Sequence, residues 1–167
     1  MNTPNEVIKI VNNLSQNKSE YKVSKTLILA ILAGAYIAFG GLLAHIVGGG
    51  SPGIAASNPG IVKFLYGATF PIGLILVVVV GAELFTGNNA YFIPSIINKQ
   101  LGVSKMLKNW GLVYFGNFIG AVFVAYVITH VTHIVSASPF KDAVIAVAEG
   151  KTSHTFLVTF IKGIGAN

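Results

Sequence analysis

The sequence predicts an all-α membrane protein in which one spanning segment is broken. Hydrophobic residues make up 53% of the chain and charged residues 10%, whereas soluble domains are about one quarter charged. The apolar stretch 64–97 would be roughly 50 Å long as one helix, but the hydrocarbon core of a bilayer is about 30 Å thick. Its middle contains four residues that favour turns over helix, namely Thr86, Gly87, Asn88 and Asn89. We therefore predict two half-helices joined by a short irregular segment.

Irregular backbone at membrane depth is tolerated only where it is buried in protein or lines a watery cavity. The break therefore indicates a conduit through the membrane. The +6 net charge comes entirely from lysines, which lie near the ends of apolar segments, so membrane orientation explains them and we exclude nucleic-acid binding. Because there is no cysteine, disulfides, thiolate chemistry and cysteine zinc sites are excluded.

Two regions are predicted, an amphipathic segment over 1–24 and a transmembrane domain over 25–167. Within the first region, four apolar residues recur at helical spacing: Val7, Ile10, Val11 and Leu14. Two placements of this helix stay open, along the membrane surface or packed on the inner face of the protein. Lysines cluster before the first span and after the second, which predicts a cytoplasmic N-terminus.

The first span is predicted over 26–47, and its three glycines favour close packing on a neighbouring helix: Gly34, Gly40 and Gly41. The stretch that follows, as far as Pro59, is rich in Gly, Ser, Asn and Pro, so we expect an irregular loop.

The third span is predicted over 109–129, and its Gly116 and Gly120 have GxxxG spacing, which we interpret as ordinary helix packing. A polar loop through Lys151 is expected next. The fourth apolar stretch starts near His154, and the chain is expected to end inside that helix, at Asn167.

Glu83 is the only acidic residue within an apolar segment. An unpaired charge there costs several kcal/mol or more, so we predict that Glu83 braces the helix break through the backbone amides of Thr86, Gly87 or Asn88. Direct contact with a substrate is the alternative for Glu83. Thr86 is the better candidate for contact with a solute because a hydroxyl both donates and accepts, with local capping as its alternative.

Lys151 lies before the fourth helix, where a fixed cation would concentrate anions at an entrance. The alternative is a snorkelling interfacial lysine. Lys162 lies within the last apolar stretch, and it is interpreted either as a subunit contact or as a residue near the inner surface.

Three histidines near helix ends invite a haem or metal hypothesis: His45, His130 and His133. A bis-histidine haem needs ligands at facing helix centres, so we predict neither cofactor nor metal. No nucleophile triad or phosphate loop is recognisable, and we predict that the protein is not an enzyme.

Several motifs together resemble the formate/nitrite transporter family. They are Gly-Ala-Glu-Leu-Phe-Thr-Gly at 81–87, Gly-Leu-Ile-Leu at 73–76, Lys-Asn-Trp at 108–110, Val-Tyr-Phe-Gly-Asn at 113–117, and Lys151 with His-Thr-Phe at 154–156. The last five residues resemble the opening of the family's second motif. The resemblance implies an aquaporin-like bundle assembled as a homopentamer, with six helices in each subunit and breaks in the second and fifth.

The resemblance also implies roles for individual residues. Leu74 would form the outer constriction and Leu84 with Phe85 the inner one. Thr86 would belong to a loop that borders the pore. Lys151 would attract anions, and Asn167 would join a polar network at the pore centre. The family's pore histidine lies on the fifth helix, so a complete pore is expected to need sequence beyond Asn167.

The function implied is a channel or transporter in the cytoplasmic membrane for small monovalent anions of weak acids, such as formate, nitrite or hydrosulfide. Transient protonation in the pore is expected. One alternative is an aquaporin-type channel for neutral solutes, which should carry Asn-Pro-Ala turns, whereas 88–90 reads Asn-Asn-Ala. The other is a membrane-anchor subunit of a respiratory enzyme that binds haem or quinone through histidines.

Overall fold

The computed structural model describes residues 2–166 and contains only helices and connecting turns over that range. The helices in chain order are α1 Pro4–Ser19, α2 Val23–Gly49, α3 Pro52–Ser57, α4 Pro59–Thr69, α5 Pro71–Val80, α6 Phe85–Ile97, α7 Val103–Phe123, α8 Phe140–Thr152 and α9 Phe156–Ala166. A π-helical segment, Val124–His130, continues α7.

Three helical stretches are long and apolar enough to cross a membrane: Val23–Gly49, Pro59–Val80 and Val103–His130. The second consists of α4 and α5, and the third of α7 with its π-helical extension. α9 is apolar but shorter, with 11 residues. The predicted all-α membrane fold with three spans is therefore confirmed.

The chain forms two compact units, and the first comprises residues 2–36 and Leu76–Val122. It begins with a capping box on α1, in which the Thr3 N–H donates to the Glu6 carboxylate at 2.6 Å and the Glu6 N–H donates to the Thr3 hydroxyl at 3.4 Å. The pKa of the Glu6 carboxyl is held below its ordinary value mainly by the bond from the Thr3 N–H, and next by the bond from the Thr3 hydroxyl. This arrangement fixes where α1 starts.

α1 packs against α6 through its polar side. Asn12 and Ser15 are buried, the hydroxyls of Ser15 and Ser95 lie 2.5 Å apart, and the Ser95 hydroxyl donates to Asn12 Oδ1 at 2.9 Å. The apolar residues of α1 stay exposed, with Val7 at 45% and Ile10 at 46% of their full accessibility. Packing on the protein thus uses the polar face, and contact of the apolar face with the membrane surface stays a prediction.

Glycines bring α2 and α7 together in this unit. A Cβ at Gly116 would collide with Ala30, and one at Gly120 with the Ile31 carbonyl; a Cβ at Gly34 would likewise meet the backbone of Asn117. Packing therefore explains the Gly116 and Gly120 pair, as predicted from its spacing, and it explains Gly34.

The second unit comprises Ile37–Ile75 and residues 123–166. Gly40 packs on the backbone of Phe70 and Gly73, whereas Gly41 has no neighbour within 4 Å of an added Cβ. The predicted close packing therefore holds at Gly40 and is wrong at Gly41. His45 Nδ1 donates to the Gly41 carbonyl of its own helix at 2.7 Å, and the ring lies edge-on to the Tyr66 ring.

Two segments predicted as irregular loops contain helices. Pro52, with its fixed φ and missing N–H, suits the first helical position of α3. The charges around Lys151 belong to α8, which has Asp142 in its first turn and Lys151 in its last, a distribution that favours a helix by complementing its dipole. The polar composition that suggested a loop therefore fits a surface helix.

Candidate functional site

The break in the second apolar run spans four residues, between the end of α5 at Val80 and the start of α6 at Phe85. The existence of the break is confirmed, but its predicted position at 86–89 is wrong, because Thr86 to Asn89 are helical. Gly81 ends α5 with a φ of +68°, in the left-handed region that glycine adopts without strain. The irregular segment therefore follows Gly81 and precedes the turn-forming residues.

The backbone of the break finds its partners within the first unit. The Ala82 N–H donates to the Val77 carbonyl at 2.9 Å, which continues the end of α5. The Glu83 N–H donates to the Leu29 carbonyl of α2 at 3.2 Å. Such pairing removes the large cost of exposing unsatisfied peptide groups at membrane depth.

Asn117 of α7 completes this backbone pairing with one side chain. Its Oδ1 accepts from the Phe85 N–H at 2.9 Å, and its Nδ2 donates to the carbonyls of Glu83 and Ala30 at 2.8 Å each. One amide thus holds the C-terminal end of the irregular segment, at its junction with α6, and ties it to α2.

Glu83 is buried, with 1% of its surface exposed, and both carboxylate oxygens are occupied. Lys18 of α1 donates to Oε1 in an ion pair, and Asn88 Nδ2 donates to Oε2 at 2.7 Å. The same Asn88 amide donates to Asn109 Oδ1 at 2.8 Å. The carboxylate therefore contacts side chains of α1 and α6, whereas the predicted contacts were backbone amides.

Thr86 lies in the first turn of α6 with its side chain exposed. Because Thr86 is helical, its predicted placement in a loop is wrong. The capping alternative is also wrong, because the N-cap residue is Leu84, and Leu84 makes no side-chain cap bond. The first turn of a helix leaves N–H groups without intrahelical partners and carries the positive end of the helix dipole. The Thr86 hydroxyl is thus beside a partial positive charge, and Gly87 follows it.

The two residues predicted for an inner constriction adjoin the break. Leu84 is partly buried in extended backbone. The Phe85 ring packs edge-on against two rings of α7, with centroid distances of 6.1 Å to Trp110 and 5.4 Å to Tyr114. α7 therefore positions both the backbone and the ring at this point.

The other predicted site residues belong to the second unit or lie outside the described residues. Leu74 is exposed on α5, and Lys151 is exposed in the last turn of α8. Lys162 donates to His154 Nε2 at 2.6 Å, a contact that neither interpretation of Lys162 included. Asn167 lies outside the described residues. Within residues 2–166, no three His, Asp or Glu side chains are arranged to hold a metal ion.

Sequence reasoning missed three members of the site: Lys18, Asn109 and Asn117. In the sequence, Lys18 is only one of the lysines that cluster before the first span. The two asparagines were noted only within stretches of the family resemblance. A polar amide within an apolar span is itself the observation that could have found Asn117, because such a group needs partners.

Comparison with known proteins then identifies the family. The sequence model described as "Formate/nitrite transporter" matches residues 5–167. This chain belongs to the formate/nitrite transporter family. It is 41% identical over 149 residues to a probable formate transporter of Methanothermobacter thermautotrophicus, and 36% identical over 164 residues to a formate channel of Bacillus thuringiensis. A formate channel of Haemophilus influenzae is 30% identical over 167 residues.

These alignments cover nearly all of this chain but only part of each relative. They include 89%, 98% and 99% of this chain, and 54%, 62% and 57% of the three relatives in the same order. The chain therefore spans little more than half the length of the family members it matches. The helix break and its polar network lie within the matched part.

Proposed function

We propose that the protein containing this chain passes small monovalent anions of weak acids across the cytoplasmic membrane, with formate as the first candidate and nitrite and hydrosulfide as further ones. The observation that carries the proposal is the satisfied helix break. A break whose backbone is held by Asn117 is a stable feature of the fold, and membrane proteins keep such irregular backbone either buried in protein or, as in transporters, beside a solute path. The names of the related formate channels support the choice of solute.

The N-terminus of α6 gives the break an anion-favouring side. Half-helices in transporters direct their positive ends at anionic groups, and the exposed Thr86 hydroxyl adds a donor there. Glu83 would oppose an anion if it were an isolated negative charge. Its ion pair with Lys18 offsets that charge, so the carboxylate serves as a brace without repelling the solute.

The apolar residues set the form in which the solute crosses. Leu84 and Phe85 would form the inner constriction and Leu74 the outer one. A bare anion between them would lose its hydration at a cost of several kcal/mol or more. The protonated acid avoids most of that cost, so the anion takes up a proton from the water on the entry side, crosses as the neutral acid and releases that proton to the water on the far side.

Entry and assembly complete the proposal. Lys151, exposed at the end of α8, raises the local concentration of anions at the outer mouth. Asn167 lies outside the described residues, and the family resemblance alone assigns it to a polar network at the pore centre. The N-terminus is cytoplasmic, and the protein assembles as a homopentamer in which each subunit has its own pore.

The test uses the full-length protein in proteoliposomes, with stopped-flow measurement of formate, nitrite and hydrosulfide entry across a range of pH. Chloride is the control because it is not the anion of a weak acid. We expect weak-acid flux to rise as pH falls, with little chloride flux. Equal flux of chloride, or passage of glycerol in place of the anions, would contradict the proposal.

A further inference from the structure

A small pocket in the first unit gathers three lysines beside the first turns of two membrane-spanning helices. Its volume is about 130 Å³. α1 contributes Lys18, the connection to α2 contributes Tyr21, and α7 contributes Lys105, Lys108 and Asn109.

The electrostatics of this pocket favour an anion. α2 begins at Val23 and α7 at Val103, so the positive ends of two helix dipoles lie beside the pocket. Lys25 does not line the pocket, but its ammonium lies 3.6 Å from the centroid of the Tyr21 ring, which does. Of the nearby carboxylates, Glu83 is paired with Lys18, and Glu20 is exposed next in sequence to the pocket residue Ser19.

Several donors at the pocket have no partner within the protein. Lys105 and Lys108 are exposed, and within residues 2–166 their ammonium groups make no ion pair. Asn109 is 4% exposed, and its Oδ1 is taken by Asn88. In that same part of the chain, no hydrogen bond uses the Asn109 amide nitrogen, although the residue lines the pocket. A buried amide donor and two ammonium groups are therefore available to an acceptor.

We propose that this pocket binds the phosphate of an anionic phospholipid headgroup. Its volume is well below the roughly 300–1,000 Å³ of pockets for drug-sized ligands, which suits a single phosphate and excludes a nucleotide. The start of a membrane-spanning helix lies at the level of lipid headgroups, and basic pockets between such helices bind acidic ones. Leu112, one turn further along α7, adds an apolar wall. The site is independent of the transported solute.

Native mass spectrometry of the full-length protein in neutral detergent tests this proposal. Phosphatidylglycerol is titrated against phosphatidylcholine, in the wild type and in the double variant Lys105→Gln with Lys108→Gln. These lysines are exposed and unpaired, so their replacement should leave folding intact. The matched control removes two other exposed lysines, Lys9→Gln with Lys99→Asn; asparagine suits the positive φ of Lys99.

The wild type should prefer phosphatidylglycerol, and the pocket variant should weaken its binding by about thirty-fold, because each lysine at the membrane surface contributes about 1 kcal/mol. The control variant should change binding by less than about three-fold. Equal weakening in both variants, or no preference in the wild type, would overturn the site in favour of general charge attraction.

A second arm separates the two sources of a phosphate group. Wild-type protein with bound phosphatidylglycerol receives either inorganic phosphate or, in a separate sample, sodium chloride at the same ionic strength. Phosphatidylglycerol that stays bound in both solutions supports a lipid site. Displacement by phosphate alone means that free phosphate outcompetes the lipid at the pocket, which overturns the lipid as its preferred ligand. Displacement by both salts overturns the site itself, since ionic screening then explains the binding.

Discussion

The polar residues of the two units are used in opposite ways. In the first unit, Glu83, Asn88 and Asn109 are buried and bonded to one another or to neighbours. In the second, Lys151 and Lys162 are exposed on short helices. A buried polar group must be satisfied or it costs about 1–3 kcal/mol, whereas an exposed charge contributes about 1 kcal/mol or less to stability. The first set therefore stabilises the fold at the break, whereas the second set contributes little to the stability of its unit.

The strongest test of this contrast is Asn117→Ala. It leaves the Phe85 N–H and the Glu83 carbonyl without their side-chain partner, so we expect a loss of about 2–5 kcal/mol in unfolding free energy. Denaturant unfolding of the full-length protein in detergent measures it. The control is Asn13→Ala, at an exposed position of α1, which should change stability by less than about 0.5 kcal/mol. Similar losses in the two variants would contradict a special role for Asn117.

A double-mutant cycle at Lys18 and Glu83 should show an effect of comparable size. Lys18→Met leaves a buried carboxylate without its cation and should cost about 3–5 kcal/mol. Glu83→Gln removes the charge and keeps an acceptor for Asn88, so it should cost less. The double variant should be more stable than Lys18→Met alone. Additive effects of the two substitutions would show that the pair does not couple α1 to the break.

Thr86→Val separates transport from folding within the first unit. Valine has nearly the same shape as threonine, and the Thr86 side chain is exposed, so stability should stay within about 0.5 kcal/mol. Formate flux should fall about ten-fold, which corresponds to a lost hydrogen bond of about 1.4 kcal/mol in the path. Thr69→Val is the control, since its hydroxyl bonds the Leu65 carbonyl within α4. Wild-type flux in Thr86→Val would remove Thr86 from the solute path.

Lys151→Ala should have the smallest effect, and only on flux. We expect formate entry to fall about two- to three-fold at low salt and low substrate, with the difference lost at high ionic strength, because attraction by an exposed charge is screened. Lys141→Ala, at the other end of α8, tests whether loss of any lysine of this helix lowers formate entry equally. A loss that persists at high salt, or equal losses in both variants, would argue against an entry role for Lys151.

Sequence was sufficient for the features that depend on local pattern. Apolar length predicted the three spans and the need for a break, and small residues predicted the packing of Gly116 and Gly120. The break lies earlier in the chain than predicted, because the left-handed φ of Gly81 ends α5 before the turn-forming residues begin. α8 was missed because its charged ends resembled a loop.

The site's partners depend on distant parts of the chain. Asn117 and Glu83 are 34 residues apart in sequence, and Lys18 and Glu83 are 65 apart. No periodicity or spacing predicts which amide or lysine meets a given carboxylate across such separations. An intramembrane acid indicates that a partner exists, and only the packing of α1 and α7 on the break shows which one.

The polar contact face of α1 also bears on the order of assembly during synthesis. α1 leaves the ribosome first, yet its bonding partner Ser95 is made 80 residues later. Glu83 likewise enters the membrane before it can pair with its counter-ion, Lys18. The pair can form only after α6 has folded back against α1. α1 therefore docks late although it is made early, and if its exposed apolar side contacts the membrane as predicted, α1 would lie on the bilayer surface until then.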